Sequence, residues 1–193
     1  MPRRSTWTAA LAFAGAVVVF AFAGFVIAQT ISHGEAETIA RNMWKAGDGK
    51  RAEKKWDDAV KAYEKSLEVL ARSKSGGVTG DKTTLGMAAM QMIELCKAMP
   101  IDLKTLKDGT YEGQAWGYMA QMTIEVTLKG GKMTQFKLKD QKETHKQALD
   151  PVPRMIMARH SPSVDAVTNA TVTSYGLMTA TKRALDKARA ADK

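Results

Sequence analysis

Val164-Asp165-Ala166-Val167-Thr168-Asn169-Ala170-Thr171-Val172-Thr173-Ser174 is the stretch on which the reading of this chain turns. Beyond it, Leu177, Thr181, Ala184, Leu185 and Ala188 recur at helical spacing, and Thr173 or Ser174 is the predicted N-cap. An anion beside such a helix start meets unpaired N–H groups and the positive end of the dipole. Asn169 suits a left-handed backbone, as glycine does, and the small Ala170 leaves a bulky group room to approach Thr171. A threonine hydroxyl is a poor nucleophile, so bond formation at Thr171 needs an adjacent base or a second enzyme to activate it. Taken alone, the run also reads as a Thr-rich loop capping an amphipathic helix.

Upstream residues weigh on that choice. Asp108-Gly109-Thr110-Tyr111-Glu112-Gly113 is followed by Gly117-Tyr118, and then by Met122-Thr123-Ile124-Glu125-Val126-Thr127-Leu128. Strict alternation in the last of these predicts a half-buried strand. Lys129-Gly130-Gly131-Lys132 predicts a two-glycine hairpin turn, after which Thr134 to Lys139 carries Phe136 and Leu138 on one face. Glu143-Thr144 comes next, followed by His145.

These landmarks, in this order, resemble the FMN-binding domain family, whose members include periplasmic flavoprotein subunits of Rnf and sodium-pumping NADH:quinone oxidoreductase complexes. The family pattern, Asp-x-x-Ser/Thr-Gly-Ala-Thr-x-Thr/Ser, is met by Asp165, Thr168, Ala170, Thr171 and Thr173, with Asn169 in the glycine slot. The resemblance implies FMN held through a phosphoester on Thr171 and installed by a flavin transferase. Asp165, Thr168, Asn169, Ala170, Thr173 and Ser174 would surround the attachment point, and Glu143 and Thr144 would lie near the flavin ring. Where many members carry Pro-Gly after the Glu-Thr pair, this chain has His145. Arg154, Arg159 and His160 are candidates to offset the phosphoester charge. The expected fold is α+β: residues 101–193 form the FMN-binding domain, with an antiparallel sheet and flanking helices.

The start of the chain sets the expected address. From Arg4 to Glu35 no acidic or basic side chain intervenes apart from His33, and Trp7 to Ala28 is almost wholly apolar. About 20 such residues span the hydrocarbon core as a helix. Arg3 and Arg4 precede the run, which by the positive-inside rule puts the N-terminus in the cytoplasm and everything after Gln29 outside it. Residues 1–33 therefore read as a single-pass anchor in the cytoplasmic membrane with the bulk of the chain periplasmic. A cleaved secretory signal ending near Val26-Ile27-Ala28 is the competing reading, and the length of the apolar run favours the anchor.

Residues 34–100 read as a small helical module. Ala46-Gly47 and the run Trp56 to Leu67 resemble one tetratricopeptide-type repeat, in which small residues let two helices approach and Trp56 and Tyr63 fill the gap. Lys50 stands where the repeat prefers an aromatic, and Gly47 and Gly49 weaken the first helix by about 1 kcal/mol each. A third helix, about Thr84 to Met99, carries Leu85, Met92, Ile93 and Cys96 and stops at Pro100. Ser73 to Lys82 is the predicted connecting loop. Two roles stand open for the module: a docking surface for neighbouring subunits, or a spacer that sets the height of the C-terminal domain above the bilayer.

The chain of 193 residues has a net charge of +9. No nucleic-acid motif accompanies that charge; attraction to anionic lipid headgroups or steering of acidic redox partners explains it as well. With Cys96 as the single cysteine, intramolecular disulfides and Cys-x-x-Cys cofactor clusters are excluded. His33, His145 and His160 lack ligand spacing, and no metal site is expected. No paired acids, nucleophile and base, or dinucleotide turn can be read. The expected function is an electron-transfer subunit of a membrane redox complex, partnered by further subunits, cytochromes or a quinone-linked subunit, and not a stand-alone enzyme. The alternative is a non-redox scaffold with a degenerate or non-covalent flavin site.

Overall fold

Ser32 closes a capping box at the head of the first long helix: the Glu35 N–H donates to Ser32 Oγ at 3.3 Å, and the Glu35 carboxylate accepts from the Ser32 N–H at 3.0 Å. The structure is a computed structural model that describes residues 31–74, 80–139, 142 and 146–191. Residues 1–30 of the expected anchor, Glu143, Thr144 and His145 lie outside the described residues, as do residues 75–79 of the predicted loop. Among the described residues no helix is long and apolar enough to cross a membrane.

A short strand β1 (Ile31–Ser32) leads into α1 (His33–Ala52), which turns at Lys54 into α2 (Trp56–Ala71). Strand β2 (Ser73–Lys74) then returns to pair in parallel with β1. The two glycines expected to weaken α1 do not end it. A Cβ on Gly47 would stand 2.8 Å from the Tyr63 ring, so glycine there lets the aromatic of α2 lie against the α1 backbone. α3 (Gly80–Lys97) buries Leu85, Met92 and Cys96 and ends ahead of Pro100.

The sheet has the order β3 (Gly109–Trp116), β4 (Gln121–Lys129), β5 (Lys132–Leu138), all antiparallel. Met122, Ile124, Val126 and Leu128 are buried in alternation along β4, as the period of two predicts. Gly130 and Gly131 both have positive φ, 58° and 71°, the conformation that a two-residue hairpin turn requires. Phe136 and Leu138 are half-buried, and a register shift at Thr127/Leu128 lets Met133 turn inward.

After α4 (Pro151–Arg159), the chain reaches α5 (Thr171–Ala190), which is buried without interruption from Val172 to Thr181. A helix buried on every side belongs in the core. α5 lies between the sheet on one side and α3 on the other. A Cβ on Gly113 of β3 would stand 1.9 Å from the Ala180 carbonyl oxygen, so the sheet rests directly on the α5 backbone. One hydrophobic cluster runs from Ala40 and Trp44 through Met92 and Ile124 to Ala188. The fold is thus α+β, with helices followed by a three-stranded antiparallel sheet.

Candidate functional site

The head of α5 is where the expected site residues gather. Asn169 has φ 63°, the left-handed conformation anticipated for the glycine slot. The helix begins earlier than expected: Ala170 is the N-cap, no side chain caps it, and Thr171 is the first helical residue. Thr173 and Ser174 therefore sit inside the first turn and not at its edge. Ser174 Oγ accepts from the Val167 N–H at 3.0 Å and donates to the Ala170 carbonyl at 2.9 Å, so it holds the preceding loop against the helix. That leaves the leading N–H groups of α5 without a capping side chain, a position suited to an anion.

Buried serine and threonine hydroxyls recur along α5. Ser174 is bonded as described, Thr179 donates to the Gln91 carbonyl at 3.3 Å, and Thr181 donates to the Leu177 carbonyl at 2.8 Å. Thr173, at 0 % exposure, has no partner for its Oγ1 among the described residues. An orphaned buried hydroxyl costs about 1–3 kcal/mol, and this one belongs to a residue that lines a cavity.

The cavity has a volume of about 760 Å³, within the span of small-molecule sites, roughly 300–1,000 Å³. Asp165, Thr168, Asn169, Ala170, Thr171 and Thr173 all line it. Asp165 accepts from Arg159 Nη2 at 2.9 Å. The three cations proposed to face a phosphoester are placed otherwise: Arg154 pairs with Asp150 at 2.9 Å, Arg159 is held by Asp165, and His160 is the left-handed C-cap of α4. None of the three lines the cavity.

The lining cations come instead from α1. Arg41, Trp44, Lys45, Asp48 and Arg51 line the same space, together with Tyr118 and Tyr175. Asp48 ties this wall to the rest: it accepts from Tyr175 Oη at 2.7 Å, Tyr63 Oη at 2.8 Å and Arg51 Nη2 at 3.0 Å. Arg51, 4 % exposed, also donates to Ser163 Oγ at 3.1 Å and to the Val164 carbonyl. It thereby joins α1 to the loop that carries the motif. Burial works against the Arg51 charge, but Asp48 outweighs it and holds the pKa above the ordinary arginine value. Burial, with Asp48 adding to it, pushes both phenols far above the usual tyrosine range, so Tyr63 and Tyr175 remain protonated donors. Trp44 completes the wall, with its ring centroid 5.6 Å from that of Tyr175 and Nε1 donating to Ser66 Oγ at 3.2 Å.

Sequence reasoning did not find this α1 wall. Its only linear signal is the spacing of Arg41, Trp44, Lys45 and Asp48, which puts all four on one helical stripe. An aromatic-lined cavity with an uncapped helix start, a left-handed residue before it and an orphaned hydroxyl in its first turn suits a phosphate-bearing aromatic ligand. Residues 117–186 match the family model described as FMN-binding domain. The match opens at the β3–β4 turn and takes in most of α5, while α1 lies outside it. No curated protein is significantly similar to the chain.

The residues present fit FMN. Trp44, Tyr118 and Tyr175 give the cavity an aromatic lining beside the uncapped start of α5, a combination that suits a flavin and its phosphate. Thr171 is half-buried on the cavity wall, with its hydroxyl engaged by no hydrogen bond of the described residues.

Proposed function

We propose that this chain is a membrane-anchored, extracytoplasmic flavoprotein that carries FMN through a phosphoester on Thr171 and serves as an electron-transfer subunit of a membrane redox complex. The observation that carries the reading is the position of Thr171: first residue of an uncapped helix, on the wall of a cavity of suitable size, within the matched family region. No basic side chain of the described residues is bonded to its hydroxyl, so attachment falls to a separate transferase. The threonine oxygen would bond to the phosphorus of a nucleotide-activated flavin, the nucleotide would leave, and the proton would pass to a base of the transferase. FMN, when bound, exchanges one or two electrons and so links two-electron donors to one-electron carriers. The apolar run from Trp7 to Ala28 supports placement at the outer face of the cytoplasmic membrane. Partner subunits, with cytochromes or a quinone-linked subunit among them, would supply and remove the electrons.

Intact mass of the protein purified under denaturing conditions from its native host, with peptide mapping, tests this reading. The expected result is an FMN-sized addition on the Thr171 peptide that is lost in Thr171→Ala, with no loss of folded protein. An unmodified Thr171 in a host that modifies other members of the family would overturn covalent attachment.

A further inference from the structure

We propose that Lys45 of α1 is the counter-charge for the phosphate of the flavin on Thr171. This assignment rests on the flavin reading and gives part of the site to a helix outside the matched residues 117–186.

The charges lining the cavity can be counted from their partners. Arg51 is committed to Asp48 at 3.0 Å, and Asp165 to Arg159 at 2.9 Å. Arg41 is committed to Glu37, with contacts of 2.7 and 3.0 Å. Lys45 lines the cavity and, among the described residues, has neither hydrogen bond nor ion pair. Among the described residues, the lining therefore carries one positive charge without a neighbouring carboxylate. A phosphate esterified to both the flavin ribityl chain and Thr171 keeps one ionisable oxygen and one negative charge. The two balance.

Two further features point the same way. The first turn of α5 brings its own partial positive charge and uncapped N–H groups to this cavity, and the orphaned Thr173 hydroxyl belongs to that turn. Lys45 lies three residues before Asp48, on the same face of α1. The Asp48 network fixes that face against Tyr175 of α5. An ammonium is a compact charge that pairs with phosphate from a range of angles, as suits an exposed side chain closing over an anion.

The test uses the full chain, co-produced with a flavin transferase, as wild type and as Lys45→Ala, Lys45→Glu and Lys45→Arg. Flavin per protein is followed over time by in-gel fluorescence, and the ³¹P resonance of the loaded protein is recorded. Loading should fall by about tenfold in Lys45→Ala and further in Lys45→Glu, and Lys45→Arg should restore most of it. The ³¹P resonance of loaded Lys45→Ala should move from its wild-type position, while circular dichroism of the unloaded variants stays unchanged. Wild-type loading with an unmoved resonance in Lys45→Ala would overturn this inference and leave the flavin reading standing. Slow loading with an unmoved resonance would also overturn it, because Lys45 would then be meeting the transferase and not the phosphate. A wild-type chain that never gains flavin overturns both.

Discussion

Consecutive residues, Asn169 to Thr173, build one side of the cavity, whereas Arg41, Trp44, Lys45, Asp48 and Arg51 reach it as a stripe along a helix far earlier in the chain. The first group is defined by local conformation: a left-handed Asn169, then a helix start with no cap. The second has no local distinction. Its residues matter because Asp48 gathers Tyr63, Tyr175 and Arg51 into one buried network, and Arg51 reaches the carbonyl of Val164. A ligand site can thus be half motif and half tertiary contact, and only the motif half is visible in a linear pattern. The helical segment is accordingly a structural component of the cavity.

Removing the centre of the network should break that dependence most severely. Asp48→Ala leaves the Arg51 guanidinium buried without its carboxylate and two phenols without their acceptor. Loss of one partner from a buried ion pair costs about 3–5 kcal/mol. Chemical denaturation should show a stability loss of that order, and flavin loading should fall although every residue of the motif is intact. Near-wild-type stability and loading would mean that the two sides of the cavity are held independently.

A second disruption approaches from the sheet. Gly113→Ala places a Cβ where 1.9 Å separates it from the Ala180 carbonyl oxygen, and that contact is backbone with no flexible side chain to yield. Overpacking of this kind costs about 1–3 kcal/mol, and the upper end is expected here. Thermal unfolding should register the loss. Gln114→Ala, at the exposed neighbouring position, should leave the midpoint within about a degree of wild type, since surface changes stay within about 0.5 kcal/mol.

What could be read in advance follows the same division. Alternation in Met122–Leu128 fixed a strand because one face of β4 is buried and the other is not, and Gly130-Gly131 demanded a turn with positive φ. Asn169 was legible because few side chains accept the left-handed region. The start of α5 was misplaced because Thr173 and Ser174 are good capping residues locally, while the fold uses Ser174 to pin Val167 and buries Thr173. Arg159 is a candidate for a phosphate because it is a cation near the motif; in space, it pairs with Asp165. α1 was legible as a helix but not as a wall, since nothing in its own spacing tells which element its stripe will face.

The smallest expected effect separates α5 as a scaffold from α5 as a site. Near its C-terminal half, Arg183 Nη2 and Lys182 Nζ meet Glu94 of α3 at 2.6 and 3.1 Å, and none of the three lines the cavity. Burial alone would raise the Glu94 pKa, but its hydrogen bonds from Arg183 and Lys182 prevail and hold it below the ordinary value. A carboxylate with a lowered folded-state pKa contributes stability above its unfolded pKa, about 4.3 for glutamate, and the contribution disappears as pH falls through the folded value. Because all the groups are partly exposed, the contribution is under about 1 kcal/mol. Glu94→Gln should therefore be slightly less stable than wild type at pH 7, with the gap closing below the carboxylate range and flavin loading unchanged at neutral pH. A gap that persists at low pH would assign Glu94 a packing role in place of an ionic one. A loss of loading at neutral pH would show that the α3–α5 contact controls the cavity as well, and the two ends of α5 would then act as a single unit.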